Sequence, residues 1–447
     1  MSKISTPIVD FVRDFAQSNV SRLHMPAHKG KSLLGCEELD ITEINGADVL
    51  YSADGIIDES ENNATALFGT AHSFYSTEGS TLAIKAMLAL IKRNTQKDSY
   101  VLAARNAHKA FIYACGLLDL DVEWIYPATN EHLCDCTIEP HTLRSMLKSA
   151  KKLPCAIYIT SPSYLGKVQD IAGISKICKE FGIYLLVDNA HGAYLAFENP
   201  SRHPIALGAD MCCDSAHKTL PTLTGGAYLH VSKNFEPYDK QETRAMLSLF
   251  ASTSPSYLIL QSLDLTNAYI SDGYIKKLND TIEKVNVLKT ELGSIGFICE
   301  GDEALKIVIT SKKSRCLCDK LADHLRSHKI EPEYAERDAL VLMVSTENTD
   351  VDFERIKTAF KSFSKESVQI DDQPQICAPK RAISIREALF APSERIETKF
   401  SAGRICATPS VSCPPAIPPI VSGEIIDEDT VKVMSYYGID EIDVIKE

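Results

Sequence analysis

The sequence predicts an α/β fold in which helices wrap a mainly parallel sheet. Between Ser80 and Val231, short apolar runs typical of buried strands alternate with segments whose apolar residues recur three and four positions apart. This alternation favours parallel strands, because parallel neighbours need long crossover connections. The chain has 447 residues, of which 45% are hydrophobic, so it can bury a large core in two or three domains.

The elements of this region follow in a regular order. Ligands of such sheets collect outside the carboxyl ends of the strands, so the residues that follow each strand are candidates for a site. The predicted helices span residues 80–92, 108–118 and 171–181. The predicted strands span residues 100–104, 122–126, 155–160, 183–188, 209–214 and 226–231.

The rest of the chain differs in pattern. Residues 258–292 read as a long helical pattern. Strands at 304–310 and 339–345 with helices at 318–327 and 351–363 predict a smaller C-terminal α/β domain. The last stretch is rich in proline, which favours an extended segment packed on the body. We therefore divide the chain into an N-terminal segment 1–35, a large domain 36–255, a helix with the small domain 256–370, and a C-terminal region 371–447.

Composition narrows the class of function. The net charge of −13 makes nucleic acid and anionic membranes improbable partners, since phosphate binding needs clustered lysine and arginine. No apolar stretch is long enough to span a membrane. The first twenty residues contain Asp10 and Asp14 and lack an apolar core, so we expect a cytoplasmic protein with reduced thiols. An acidic surface is compatible with cationic small substrates.

The fourteen cysteines do not predict a metal site. The clusters His132-Leu-Cys134-Asp-Cys136 and Cys316-Leu-Cys318 lack the two-residue gap and the matched second pair of a zinc site. We expect no metal.

Lys218 is the most informative candidate. It follows Ser215 and His217 directly after a predicted strand, where its amine could hold the aldehyde of pyridoxal phosphate as an imine beside groups that bind a phosphate. The alternative is an ordinary surface lysine.

Asp188 ends the preceding apolar strand. Its carboxylate could pair with the pyridine nitrogen of that cofactor and keep the ring protonated, which makes the ring a better electron sink. The alternative is a carboxylate that caps the following turn.

Two further segments support a cofactor site. Ser76 to Thr81 precedes a strong helix, so its hydroxyl and amide groups would form an anion site, or only a helix cap. His108 follows the strand at 100–104, where it could stack on a ring, handle a proton, or only bond to backbone. Because all four segments follow strands of one predicted sheet, they can converge. The sequence therefore predicts a pyridoxal 5′-phosphate site.

These segments also resemble a known family along nearly the whole chain. The chain is similar to the fold-type I pyridoxal phosphate decarboxylases that act on ornithine, lysine and arginine. Two departures stand out: Asn189 replaces a common glutamate, and Ala27 replaces a glycine. The matching segments are His24-Met-Pro-Ala-His-Lys-Gly30, Asp40-Ile-Thr-Glu43, Gly79-Ser-Thr81, Arg105-Asn-Ala-His-Lys109, Thr160-Ser-Pro-Ser-Tyr-Leu-Gly166, Asp188-Asn-Ala-His-Gly192, Ser215-Ala-His-Lys218, Thr253-Ser-Pro-Ser-Tyr257, Ser384-Ile-Arg-Glu-Ala388 and Pro414-Pro-Ala-Ile-Pro418.

The resemblance implies an aspartate-aminotransferase-like fold of type I, with a seven-stranded sheet in the large domain, and a homodimer or higher homo-oligomer. It implies that Lys218 is the imine lysine, that Asp188 is the partner of the ring nitrogen, and that Ala190 packs under the ring. His108 would stack on the ring, and either Lys218 or His217 would return the proton. The residues implied to bind the cofactor's phosphate or its edge are Gly79, Ser80, Thr81, Ser215 and His217, with Ser254 and Ser256 serving the neighbouring subunit.

The implied reaction is decarboxylation of a basic amino acid, with arginine first and lysine or ornithine next, as in polyamine biosynthesis. Glu43, Asp48, Asp54 and Asp58 could meet the distal cation of the substrate, or form only a solvated loop. The alternatives are an aminotransferase, a β-eliminating lyase, an aldolase or a non-catalytic homologue, because one scaffold hosts many pyridoxal chemistries.

Overall fold

The computed structural model describes residues 4–96, 98–127, 132–365, 373–374, 378–409 and 417–447. The chain forms two compact units, and both are discontinuous in sequence. The first contains Met1–Gln96 and Ile171–Lys277, and the second contains Lys97–Asp170 and Leu278–Glu447. The sequence analysis divides the chain into four consecutive segments instead, and that division stays a prediction.

The described strands are two to five residues long. They are β1 (His72–Ser76), β2 (Tyr100–Ala104), β3 (Asp121–Ile125), β4 (Ala156–Thr160), β5 (Tyr184–Asp188), β6 (Met211–Asp214), β7 (Ala227–Val231), β8 (Cys299–Glu300), β9 (Lys306–Thr310), β10 (Tyr334–Ala335), β11 (Ala339–Met343), β12 (Ser393–Glu397), β13 (Cys406–Thr408) and β14 (Glu441–Ile445).

The helices vary from one turn to more than five. None of those in the described residues is long and apolar enough to cross a membrane. They are α1 (Pro7–Gln17), α2 (Ile56–Phe68), α3 (Gly79–Arg93), α4 (Lys109–Leu118), α5 (Pro140–Ser149), α6 (Ile171–Phe181), α7 (Ala216–Thr219), α8 (Lys240–Ser248), α9 (Tyr257–Ser271), α10 (Tyr274–Ser294), α11 (Ser311–Ser314), α12 (Cys318–Ser327), α13 (Asp350–Ser362), α14 (Ile385–Phe390) and α15 (Glu428–Tyr436).

The first unit contains four strands in the order β1-β7-β6-β5. β5 and β6 are parallel, with Asp188 opposite Cys213, whereas β7 is antiparallel to both of its neighbours. β1, β6 and β7 are buried along their whole length. Because β5 and β6 are parallel and in register, the residues that follow both strands emerge at one edge.

The second unit contains three strands in the order β4-β2-β3, all parallel. It also contains an antiparallel sheet in the order β10-β11-β9-β8. Phe297, Leu321, Leu340 and Phe360 belong to the apolar core of this sheet and its helices. The third sheet, in the order β12-β14-β13, lies in the C-terminal region.

The predicted fold class is confirmed: the protein is α/β, with a mainly parallel seven-stranded sheet. The strands and helices predicted up to residue 231 form with ends shifted by at most about two residues, which is the usual uncertainty of such boundaries. The helical pattern at 258–292 forms two helices, because Gly273 adopts a left-handed φ of +77° just after the end of the first.

Within the proline-rich C-terminal region, residues 410–416 lie outside the described residues, and Ile417, Pro418 and Pro419 are described. Arg105 binds this segment. Its guanidinium donates to the carbonyl oxygens of Pro418 and Pro419 at 3.0 and 3.1 Å and pairs with Glu424 at 3.2 Å, and both charged side chains are buried. The arginine of the Arg105-Asn-Ala-His-Lys109 segment thus has a structural partner within its own unit.

Asp264 connects α9 to the N-terminal helix. Its carboxylate accepts hydrogen bonds from the backbone N–H groups of Ile8 and Val9, both at 3.0 Å, and from the Ser60 hydroxyl at 2.6 Å. Burial raises the pKa of Asp264 to about 6, despite these hydrogen bonds, which lower it. The folded state therefore holds this proton more tightly than the unfolded chain does.

This pKa predicts a stability that falls as pH rises. A carboxyl group whose pKa is raised on folding favours the folded state at low pH and loses that advantage as pH rises through the folded pKa. Relative to Asp264→Asn, the wild type should lose about 1 kcal/mol of unfolding free energy between about pH 5 and about pH 7.5. Denaturant unfolding of both proteins measures this difference. Asp280→Asn, at an exposed position, is the control, and an equal pH dependence in all three proteins would contradict the assignment.

Candidate active site

Asp188 lies at the carboxyl end of β5, with only 3% of its surface exposed. Its Oδ1 accepts from the backbone N–H of Ala190 at 3.2 Å and from the thiol of Cys213 at 3.5 Å. The turn-capping alternative is therefore present in the structure. Both of these bonds are made to Oδ1 of the carboxylate.

Lys218 follows β6 on the short helix α7 and is partly buried, so it is not an ordinary surface lysine. Its Nζ lies 2.9 Å from Nε2 of His191, which is 5% exposed. An imidazole at this distance can exchange a proton with the amine. His191 is a functional candidate that sequence reasoning missed, although it stands in the Asp188-Asn-Ala-His-Gly192 segment. Only the fold shows that it faces Lys218.

The start of α3 is the place where the sequence predicts an anion site. The hydroxyl of Ser215 donates to that of Ser80 at 2.9 Å, so residues from two distant segments meet at the N-terminus of a 15-residue helix. Unpaired N–H groups and the helix dipole favour an anion there. Thr81, in the first turn, is exposed.

Two glycines shape the entrance to this helix. Gly79 has φ of +69° and donates its N–H to the carbonyl oxygen of Gly225 at 2.8 Å. Gly225 has φ of +97°, and a Cβ there would lie 2.9 Å from the carbonyl oxygen of Thr77. The close approach of the two backbones therefore requires glycine at position 225.

His217 and Ala190 lie next to the central residues. Nδ1 of His217 is 3.1 Å from the carbonyl oxygen of Gly226, which orients the ring. Ala190 is partly buried and immediately follows the Asp188–Asn189 pair. Their roles against a cofactor stay predictions.

His108 belongs to the second unit, where it precedes α4. Its Nδ1 accepts from the backbone N–H of Ala110 at 3.2 Å, which is the backbone bond expected of a histidine at a helix start. The ring-stacking role stays a prediction.

The two serines before α9 have local roles. Ser256 caps that helix by accepting from the backbone N–H of Ile259 at 3.4 Å. Ser254 is exposed, and its backbone N–H donates to the hydroxyl of Ser252 at 3.1 Å. Their service to a neighbouring subunit stays a prediction.

The acidic residues near the N-terminus are partly structural. The carboxylate of Asp48 accepts from several backbone N–H groups, including that of Gly55 at 2.9 Å. Asp58 pairs with Lys240 and with Arg244, the latter at 2.9 Å. Glu43 differs, since burial raises its pKa. Of the four acids, Asp48 and Asp58 thus make bonds that stabilise the fold.

A buried polar cluster lies behind the two strand ends, and sequence reasoning missed it. Asp214, which is 0% exposed, accepts from the Nδ2 group of Asn189 at 2.6 Å. Nε2 of His203 and Nε2 of His230 lie 3.0 and 3.2 Å from its other oxygen. Burial would raise the pKa of Asp214, but the two imidazoles lower it well below its usual range. The cluster therefore contains a carboxylate that stays ionised.

This cluster also has the geometry of metal ligands. The ligand atoms of His203, Asp214 and His230 lie within 4.8 Å of one another, as do those of a second group in the described part of the chain, Asp58, Glu61 and His72. In each group the carboxylates already bond to imidazole or guanidinium groups. The cited carboxylates, Glu61 and Asp214, are thus paired with side chains of the protein.

Comparison with known proteins identifies the family. The family model for the major domain of the Orn/Lys/Arg decarboxylases matches residues 7–350. The chain belongs to the Orn/Lys/Arg decarboxylase family. Among its relatives, an arginine decarboxylase of Bacillus subtilis is 26% identical over 463 residues, which cover 96% of this chain and 93% of the relative. An arginine decarboxylase of Bacillus anthracis is also 26% identical, over 97% of this chain and 93% of its own.

A solved structure shows the same fold. The lysine decarboxylase LdcF of Francisella novicida matches with a TM-score of 0.81 at 16% identity, over 99% of this chain and 81% of its own. Membership in the family makes this decarboxylase an enzyme that depends on pyridoxal 5′-phosphate and acts on an amino acid. The aminotransferase, β-eliminating lyase, aldolase and non-catalytic alternatives are thereby disfavoured.

The residues of the first unit fit that cofactor. A phosphate suits the hydroxyl pair of Ser80 and Ser215 at the start of α3, an aldehyde suits the amine of Lys218, and a ring nitrogen suits the carboxylate of Asp188. All four follow strands or begin a helix within one compact unit.

Proposed function

We propose that this decarboxylase converts arginine to agmatine and carbon dioxide. The observation that carries the proposal is that relatives named arginine decarboxylase match nearly end to end, over 93% of their own length. The bond between the α-carbon and the carboxylate breaks, carbon dioxide leaves, and one proton is added to the α-carbon. Lysine and ornithine are the second candidates, since the family includes decarboxylases of both.

We propose a separate role in cofactor binding or proton transfer for each residue around Lys218. Pyridoxal 5′-phosphate, when bound, supplies a cationic ring that accepts the electron pair released as the carboxylate leaves. Asp188 holds the proton on the ring nitrogen, and Ser80 and Ser215 hold the phosphate. His191, at 2.9 Å from Lys218 Nζ, takes a proton from that amine and can return it.

Three further assignments come from the family resemblance. His108 stacks on the ring, Ala190 leaves room beneath it, and Lys218 or His217 protonates the α-carbon. We also propose a cytoplasmic homodimer in which Ser254 and Ser256 serve the partner's cofactor. Light scattering of the purified protein tests the dimer, which a monomeric mass would contradict.

Product analysis tests the proposed substrate. The purified protein with pyridoxal 5′-phosphate is incubated separately with arginine, lysine and ornithine, and the products are identified by mass spectrometry. Agmatine as the main product is the expected result. Cadaverine or putrescine would move the assignment to lysine or ornithine, and a keto acid would contradict decarboxylation.

The phosphate site makes a separate prediction. Ser80→Ala removes a hydroxyl that we expect to bind a charged phosphate, so the affinity for pyridoxal 5′-phosphate should fall about tenfold to a hundredfold. Absorbance titration of cofactor-free protein measures this affinity. Ser294→Ala, at an exposed position distant in sequence, is the control and should leave the affinity unchanged. Equal affinities in all three proteins would exclude Ser80 from the site.

A further inference from the structure

Asn189 is the one departure from the family pattern that lies next to the candidate site. The resemblance places a glutamate there, yet this chain has a neutral amide with no solvent exposure. Its Nδ2 donates to Asp214 at 2.6 Å, and its backbone N–H donates to the carbonyl oxygen of Cys213 at 3.0 Å. The amide therefore bonds to the next strand by side chain and by backbone.

Asp214 has the charge that Asn189 lacks. Its Oδ1 accepts from Asn189, and its Oδ2 faces Nε2 of both His203 and His230. His230 is fixed in turn, since its Nδ1 lies 2.8 Å from the hydroxyl of Ser73. A carboxylate with three donors around it is satisfied without solvent. The buried negative charge thus lies on β6, one side chain away from position 189.

The pair joins the two strand ends that bear the central candidates. Asn189 directly follows Asp188, and Asp214 directly precedes Ser215, three residues before Lys218. Among the described residues, Oδ1 of Asn189 has no hydrogen-bond partner, so the bond to Asp214 orients its amide. Any rotation of that side chain would break this bond and leave buried polar atoms unpaired.

We propose that Asp214 supplies the buried negative charge that the family pattern places at position 189, and that Asn189 and Asp214 are a positioning pair for Asp188 and Lys218. This inference rests on the cofactor roles proposed for Asp188 and Lys218, but not on the identity of the substrate. The pair needs one carboxylate and one amide. The carboxylate can stand at either 189 or 214, provided that the amide stands at the other position.

The exchange of the two residues tests this directly, because asparagine and aspartate have nearly the same shape. Asn189→Asp places two carboxylates in contact. Asp214→Asn removes the buried negative charge, and when its oxygen accepts from the two histidines its Nδ2 faces the Nδ2 of Asn189. In the double variant, the amide at 214 can donate to the carboxylate at 189 while its oxygen accepts from both histidines. The hydrogen bonds are thereby restored, and the negative charge has moved from position 214 to position 189.

Two readouts are measured without any amino acid substrate: thermal unfolding of the cofactor-free protein, and the affinity and absorption spectrum of bound pyridoxal 5′-phosphate. Each single variant should bind the cofactor at least about tenfold more weakly and with an altered spectrum, because Asp188 and Lys218 are displaced. The exchange variant should recover the wild-type spectrum and an affinity within about threefold. The exposed exchange Asn279→Asp with Asp280→Asn is the control and should change neither readout.

Two outcomes would overturn the proposal. In the first, the losses of the single variants add in the exchange variant instead of cancelling. In the second, the single variants unfold at lower temperature yet bind the cofactor with wild-type affinity and spectrum, which is the result of a purely structural role. If Asp214→Asn does not fold, recovery of folding and spectrum by the exchange supports the proposal, and failure to recover them overturns it. Failure of arginine decarboxylation would leave these readouts unaffected.

Discussion

Replacement of Lys218 by alanine is expected to lower the rate of decarboxylation by about a thousandfold or more, with the chain still folded. The amine at 2.9 Å from His191 is the group proposed to hold the cofactor's aldehyde, and alanine offers no nucleophile in its place. The fold should tolerate the change, because Lys218 is only partly buried and lies on a four-residue helix. Steady-state release of carbon dioxide measures the loss.

Lys276→Ala is the matched control for this variant. Lys276 is exposed on α10, so its replacement should leave both the rate and the unfolding temperature close to those of the wild type. Activity of Lys218→Ala within about tenfold of the wild type would exclude the proposed role of the lysine.

Asp188→Asn is expected to lower kcat by about a hundredfold to a thousandfold. The amide has nearly the shape of the carboxylate, and its oxygen can still accept from the backbone N–H of Ala190. What it loses is the negative charge that would keep the ring nitrogen protonated, so the electron pair released by decarboxylation is less well accommodated. Rates at saturating substrate and cofactor measure this effect separately from binding.

The control for Asp188→Asn is Asp280→Asn, which makes the same chemical change on an exposed helix face. The spectrum of the bound cofactor should change in the first variant and not in the second. Wild-type kcat together with a wild-type spectrum in Asp188→Asn would show that the carboxylate only caps its turn, as the bond to Ala190 already suggests it can.

Burial explains which strands could be predicted. β2, β4 and β5 each contain at least four consecutive apolar residues, as expected of parallel strands covered on both faces. β1 was missed because its sequence, His-Ser-Phe-Tyr-Ser, is polar at three of five positions. Those polar groups are paired inside the first unit: His72 bonds to Glu61, and Ser73 bonds to Thr70 and His230. Such pairing depends on tertiary contacts that a local pattern does not contain.

The candidate site, like the strands, could be predicted only in part from the sequence. The sequence predicted that Ser80, Ser215 and Lys218 lie at one edge of the sheet. In the structure, the hydroxyl oxygens of Ser80 and Ser215 lie 2.9 Å apart. Sequence reasoning assigned no role to His191, because the contact joins the turn after β5 to a lysine on α7 that lies 27 residues further along the chain.

The cluster around Asp214 was not predictable in this way. Pairing of β6 with β7 places Asp214 near His230, and the histidine at 203 reaches the same carboxylate from the segment before β6. Neither the spacing nor the residue types of these three positions predict that they meet. The Asn189 departure was visible in the sequence, but its partner was visible only in the fold.

The most direct test of the central claim is chemical trapping of the cofactor. The protein is incubated with pyridoxal 5′-phosphate, reduced with borohydride, digested and mapped by mass spectrometry. We predict that the added mass of the reduced cofactor lies on the peptide that contains Lys218, at that lysine alone. Its attachment to a different lysine, or no attachment at all, would contradict the assignment of this site.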